Sequence, residues 1–254
     1  EAVERSCHLF IEKPLGQGLE GVDELLSTVA SKKLIAMVGC NLRFHHGPST
    51  IKKLLDQHAI GTVISAIIDT GQYLPDWHPD EDYRTGYSAT ASLGGGVVLD
   101  AIHEIDYARW LFGDVAEVCA QGGKLSSLEI ETEDTANILM KTITGPSVFI
   151  HLDYLQRTYW RSCKVVGEEG TIIWDINQAQ VQLYSARNEG WTQYPEPEGY
   201  TINQMYLDEL EHFMRCLRGE EIPSLGLIDA KRVLELALAI KDSMRTGERQ
   251  RLAA

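Results

Sequence analysis

Apolar positions along the chain follow one rhythm up to about residue 113 and another after it. Residues 8–15 (HLFIEKPL) start as a continuous apolar run and end in a charged pair and a proline, which predicts a short buried strand. Val22, Leu25, Leu26 and Val29 recur at helical spacing and predict a helix over 20–33, and LIAMVG at 34–39 is a second strand-like run. Strand, helix and strand within forty residues make a parallel βαβ unit. Pro48 suits a first helical turn, so a helix is expected over 48–58 with Ile51, Leu54 and Leu55 inward. GTVISAIIDTG (61–71) reads as the next strand and 95–112 as a further helix. Beyond it, short β-rich runs broken by turn signals (115–122, 134–143, 146–155, 160–170, 171–176, 181–186) predict a mostly antiparallel sheet. Residues 60–185 should form one large sheet with the 95–112 helix against it. Such a sheet leaves a broad apolar face open, which predicts association with a second copy as a homodimer or homotetramer. Two amphipathic helices, 204–218 and 229–245, close the chain.

Between strand and helix, residues 72–92 (QYLPDWHPDEDYRTGYSATAS) carry two prolines and no period, so they read as a long loop of the kind that carries function. The 254 residues bear a formal charge of −14, which gives nucleic acid no general electrostatic footprint. Five scattered cysteines (Cys7, Cys40, Cys119, Cys163, Cys216) show neither a disulfide framework nor C-x-x-C spacing, and a reducing cytoplasm is expected. No apolar run approaches the roughly 20 residues that cross a bilayer. The first residue is Glu1 rather than Met, consistent with a processed product or a fragment.

Gly16, Gly18 and Gly21 spell G-x-G-x-x-G between a strand and a helix, the context of a dinucleotide fingerprint. Pro14 interrupts the turn, Glu20, Asp23 and Glu24 stand where a pyrophosphate would sit, and Gly39-Cys40-Asn41 lacks the ribose-binding acid; the motif is therefore read as a loop before a helix. In a helix, Asp100 and His103 would share one face, where a carboxylate orients an imidazole and raises its pKa for acid-base work, or where His103 is simply a core histidine. Gly94, Gly95 and Gly96 would let a ligand or another backbone approach that helix start. Lys13, at the carboxyl end of a buried parallel strand, can reach a ligand or pair with Glu12. His45, His46 and Cys40 lack a fourth ligand and are not read as a metal site.

Together these residues resemble the Gfo/Idh/MocA family of NAD(P)-dependent oxidoreductases. The likeness rests on Glu12-Lys13-Pro14, Asn41-x-Arg43-Phe44, the Tyr83-Arg84 loop, and Gly94-Gly95-Gly96-x-x-x-Asp100-x-x-His103-x-x-Asp106-x-x-Arg109-Trp110. Glu133-Asp134-Thr135-Ala136, Gly167-x-x-Gly170-Thr171 and the helix opening at Asp229-Ala230 extend it, so that it runs from about residue 8 to the C-terminus. The resemblance implies a mixed fold, α/β plus α+β: the C-terminal part of a Rossmann-like parallel sheet over 1–45, then an α/β domain over 46–254 with a large, mostly antiparallel open sheet. The family's glycine fingerprint lies about a hundred residues before Glu-Lys-Pro, so this chain is expected to lack the first half of the nucleotide domain. The resemblance further implies NAD or NADP as cofactor and a sugar, nucleotide-sugar or polyol as substrate. Lys13 and His103 would be catalytic, with Asp100 beside them. Glu12, Lys13, Pro14, Asn41 and Arg43 would face the cofactor, and Trp77, Tyr83 and Arg84 the substrate. No metal is implied. The rival reading is an inactive substrate-binding and dimerisation fragment of such an enzyme.

Overall fold

The computed structural model describes residues 1–143 and 145–252. Strand β1 (Leu9–Glu12) pairs in parallel with β2 (Ala36–Gly39), with Leu9 opposite Ala36, and α1 (Val22–Ser31) connects them. This is the expected βαβ unit. All four β2 residues are buried, as its unbroken apolar run requires. Helix α2 (His46–Asp56) follows, and β3 (Val63–Gly71) then enters a second sheet.

That sheet has nine strands. After β3 come β4 (Val115–Gly123), β5 (Thr135–Thr142), β6 (Ser147–Asp153), β7 (Trp160–Gly167), β8 (Gly170–Asp175), β9 (Gln180–Ser185), β10 (Gly190–Pro195) and β11 (Gln250–Arg251). Their order across the sheet is β10-β9-β8-β7-β3-β6-β5-β4-β11. Every pairing is antiparallel except β3 with β6. The alternation in β5 shows why one face is a core: Ala136, Ile138 and Met140 are fully buried, whereas Leu139 and Lys141 face outward. Burying a side chain the size of Ile138 or Met140 contributes about 1.5–3 kcal/mol. Strands β10 and β11 extend the sheet beyond the 60–185 expected from pattern alone.

The inner face is covered by α6 (Leu227–Thr246) on β4 and by the segment predicted as one helix over 95–112. That segment is two helices, α3 (Val97–Asp100) and α4 (Ile102–Phe112), broken at Ala101, whose φ −91° and ψ 31° serve both as the end of one and the start of the other. Periodicity cannot show such a break because the apolar spacing continues through it. Helix α5 (Gln204–Leu217) sets Phe213 edge-on against Phe10 of β1, at 5.3 Å between ring centres.

The three glycines before α3 admit another backbone. A Cβ on Gly95 would lie 2.3 Å from the Tyr87 carbonyl oxygen and 2.6 Å from that of Ser88, so Gly95 is where the 72–92 loop presses onto the helix start. Gly96 has φ 110°, a conformation that side-chain-bearing residues rarely adopt, and the Glu133 carboxylate fills the space beside it.

Candidate active site

Four strands end at one place. Lys13 follows β1, Asn41 opens the turn after β2, Thr70 and Gly71 end β3 with Gln72 next, and Asp153 ends β6 with Tyr154 next; β7 starts from the same edge. These residues, together with Trp77, Asp100, His103, Tyr159, Arg161, Met205 and Tyr206, line a cavity of about 260 Å³. The carboxyl edge of parallel strands is where open α/β sheets place ligands.

Lys13 Nζ donates to the backbone carbonyl of Asp100 at 2.8 Å, which fixes the ammonium beside the α3–α4 break. The Asp100 carboxylate accepts from the Tyr154 hydroxyl at 2.6 Å. It does not hold His103, so the expected carboxylate-imidazole pair is corrected: the break at Ala101 uncouples the two side chains, and Tyr154 takes the carboxylate. The electrostatic expectation reverses as well. Burial first, and then the positive charges of Lys13 and Arg161, push the half-buried His103 well below the usual histidine pKa. Its Nδ1 is buried without a protein partner. A neutral imidazole beside an ammonium can accept a proton and then give it back.

Arg161 lines the cavity 2.7 Å from Glu104 of α4, whose side chain is wholly buried; burial raises the Glu104 pKa and Arg161 pulls it back only partly. Five expected site residues, Glu12, Pro14, Arg43, Tyr83 and Arg84, do not line this cavity. Arg43 is buried, its guanidinium gripping Asp106 through two bonds of 2.8 and 2.7 Å and donating also to the Ser224 carbonyl. Glu12 is exposed and accepts the Lys13 backbone amide at 3.0 Å. Arg84 is held on the surface by Asp82 at 2.8 Å and Glu129 at 3.2 Å. Pro14 follows Lys13 through a cis peptide bond. Trp77 walls the cavity edge-on to Tyr154, whereas Tyr83 lies in a neighbouring cavity.

His45 and His46 do not converge on an ion: His45 Nδ1 accepts from the Gly47 amide at 3.0 Å, and His46 Nε2 sits 3.1 Å from the Tyr194 carbonyl. Among the described residues, Asp69, His151 and Asp153 cluster within 4.8 Å, tied by His151 Nε2 to Asp153 at 2.9 Å and by the Gln156 amide to both carboxylates.

A family model described as "GFO/IDH/MocA C-terminal domain" matches residues 49–173. Over these residues the chain is similar to the Gfo/Idh/MocA family. Its relatives include the myo-inositol 2-dehydrogenase of Thermotoga maritima, 28% identical over 93% of this chain and 70% of that protein. Another is the NAD(+) scyllo-inositol 2-dehydrogenase of Bacillus subtilis, 27% identical over 97% of this chain and 71% of that one. The fold superposes on a levoglucosan dehydrogenase in complex with NADH and levoglucosan with a TM-score of 0.87 at 21% identity, covering 100% of this chain and 76% of that structure. An NAD binding oxidoreductase from Klebsiella pneumoniae gives 0.88 at 17% identity over the same shares. At these identities the superpositions establish the fold. The residues that sequence reasoning missed (Thr70, Gln72, Asp153, Tyr154, Tyr159, Arg161, Tyr206) flank strand and helix ends. Apart from those ends, no signal singles them out.

Proposed function

We propose that the chain is an NAD-dependent oxidoreductase acting on a hydroxyl or keto group of a polyol or sugar. One observation carries this reading: Lys13 and His103, from segments ninety residues apart in sequence, meet in one cavity at the strand ends. His103 takes the proton of the reacting hydroxyl in oxidation and returns it in reduction. Lys13, fixed by the Asp100 carbonyl, donates to the same oxygen as negative charge develops on it. Asp100 and Tyr154 orient the lysine's support, and Trp77 and Tyr159 offer apolar faces to a ring. NAD, when bound, accepts or supplies the hydride. Lys13 and Asn41 would hold its nicotinamide end, and the charges in the cavity fit a neutral polyol, since Arg161 is paired with Glu104. The turn at Gly16–Gly21 does not fit the pyrophosphate, because Asp23 and Glu24 occupy the first turn of α1 with Glu20 just before it. We therefore propose that 1–45 is the nicotinamide-side part of a nucleotide domain and 46–254 the substrate domain, acting in the cytoplasm. Among the described residues no helix is long and apolar enough to cross a membrane. The reading as an inert fragment is not favoured, since relatives matched along 93% and 97% of the chain are dehydrogenases.

The test is NADH formation at millimolar NAD with myo-inositol, scyllo-inositol and levoglucosan. Turnover that is lost in Lys13→Ala supports the reading; no NADH from any polyol at an NAD concentration that calorimetry shows to be bound overturns it. Calorimetric titration should show weak NADH binding. Micromolar binding abolished by Gly18→Val would instead make the 16–21 turn the phosphate site.

The outer sheet face supports a homo-oligomer: Leu139, Phe149 and Ile67 lie side by side on β5, β6 and β3 and are 54%, 38% and 49% exposed. Light scattering should show a dimer or tetramer that Phe149→Asp breaks, and a monomer at all concentrations would end the proposal.

A further inference from the structure

A second cavity, of about 320 Å³, adjoins the first and shares two walls with it, Trp77 and Asp100. The 72–92 loop supplies most of the rest, including His78, Glu81, Asp82, Tyr83 and Tyr87. The loop is held in this shape by its own bonds: the Tyr87 hydroxyl donates to the Gly94 carbonyl at 3.0 Å, and Tyr83 Oη accepts the Glu129 amide at 3.3 Å. The Gly95 contact presses it onto α3 as well. The chamber is therefore a formed part of the fold.

Its lining differs from that of the reactive cavity. Lys13, His103 and Arg161 are all on the other side of Trp77, and the nearest cation, Arg84, is drawn to Asp82 and Glu129 on the surface. What remains is three aromatic rings, the His78 imidazole and three carboxylates, of which Asp82 is paired with Arg84, Asp100 accepts from the Tyr154 hydroxyl, and Glu81 faces the chamber without a cation. Such a lining disfavours an anion. It suits a neutral polyhydroxylated ring, whose C–H faces lie on tyrosine or tryptophan and whose hydroxyls donate to carboxylates.

We propose that the second chamber is a subsite for a neutral sugar ring attached to the unit that reacts, so that the substrate class is a glycoside of two rings with Trp77 between their subsites. The inference rests on the polyol-oxidoreductase reading and adds the size of the substrate to it. It also gives two of the loop residues distinct roles, Trp77 shared between subsites and Tyr83 confined to the second.

Two readouts test it separately. Saturation-transfer NMR on the chain, without cofactor, with cellobiose, maltose and sucrose as probes, should show contact along both rings of at least one disaccharide. Tyr83→Ala and Glu81→Ala should each weaken the signal from the second ring. In turnover with NAD, the ratio of kcat/KM for the disaccharide over its monosaccharide should fall about threefold to tenfold in Tyr83→Ala, the worth of one aromatic face. Monosaccharide turnover with no disaccharide preference and no change of that ratio in either variant would overturn the subsite and leave the oxidoreductase reading standing. Disaccharide binding that depends on Tyr83, without any turnover, would do the reverse.

Discussion

Glu104 and Asp106 lie two residues apart on α4, and each meets an arginine from a distant part of the chain. Asp106 receives the Arg43 guanidinium through two bonds, and the Ser224 carbonyl takes a further donor. Both side chains are almost completely buried, 6% and 2% exposed. Glu104 approaches Arg161 at 2.7 Å, yet neither its oxygens nor the Arg161 Nε finds a well-aligned hydrogen bond, and Arg161 opens onto the cavity. A buried pair is stable when geometry repays desolvation. The first pair meets that condition and locks α4 to the turn after β2. The second is less well aligned, and its arginine lines the cavity. Two ion pairs with the same chemical groups thus separate by how completely they are satisfied, and the incomplete one lines the cavity.

The cavity side of this comparison should break hardest at His103. His103→Ala should lower turnover by about 10²–10⁴ while the melting temperature stays near that of the parent, read by steady-state kinetics and calorimetry together. On the structural side, Arg43→Met strands Asp106 and should cost about 3–5 kcal/mol, lowering the melting temperature by about 6–20 °C. Replacing both partners, Arg43→Met with Asp106→Leu, should recover most of that loss. If the double variant stays as unstable as the single, the pair is not the source of the stability.

Arg161→Met sharpens the contrast. Glu104 already has a raised pKa and can take up a proton, so the stability loss should be smaller, about 1–3 kcal/mol, and adding Glu104→Gln should repair it. Catalysis should not be repaired: a deficit of about 10–100-fold in kcat/KM should persist in the double variant if Arg161 grips substrate. Full kinetic recovery would place Arg161 with Arg43 as a structural residue.

Glu209 of α5 completes the series, a buried carboxylate with no arginine. Burial, opposed by one amide bond from Cys40 and aided by Glu12 and Asp106, pushes its pKa up to about 7. Between the unfolded value near 4.5 and this folded value the native state binds more protons, so its contribution is present at acid pH and is lost as pH rises through 7. Glu209→Gln should therefore stabilise the protein by roughly 2 kcal/mol at pH 8 and hardly at all at pH 4.5, measured by urea unfolding at the two values. His45 has the opposite sign. Burial, then Arg161 and His46, push it down to about 4, so its contribution is lost as pH falls from 6.5 toward 4. A wild type whose stability is flat from pH 4 to 8 would contradict both assignments unless they cancel, which His45→Gln alone would uncover.

The hydrophobic spacing was enough to place most helices and strands, because the apolar runs of β2 and β3 and the alternation of β5 record burial directly. Lys13 and His103 were legible because each sits inside a compact string of unusual residues at an element end. Arg161 was not. It enters the cavity because β3 runs beside β6 in parallel and β7 returns from the same edge, a pairing that no local pattern encodes. The break at Ala101 was hidden for a related reason: Val97, Val98, Leu99 and Ile102 pack inward whether or not the helix is continuous. Arg43 misled because an arginine in a string of site-like residues reads the same whether it faces a ligand or Asp106.

The place of β3 in the sheet has a consequence for how the chain is made. Residues 63–71 lie in the middle of nine strands, yet both of their partners, 147–153 and 160–167, come some eighty to a hundred residues later. Until those segments leave the ribosome, this strand has no neighbour on either side, and its Ile64, Ile67 and Ile68 present an unsatisfied edge. Contacts of that sequence separation slow folding and lengthen the interval in which such an edge can recruit another chain. The cavity's floor therefore closes late in synthesis, once β6 and β7 can pair with the central strand.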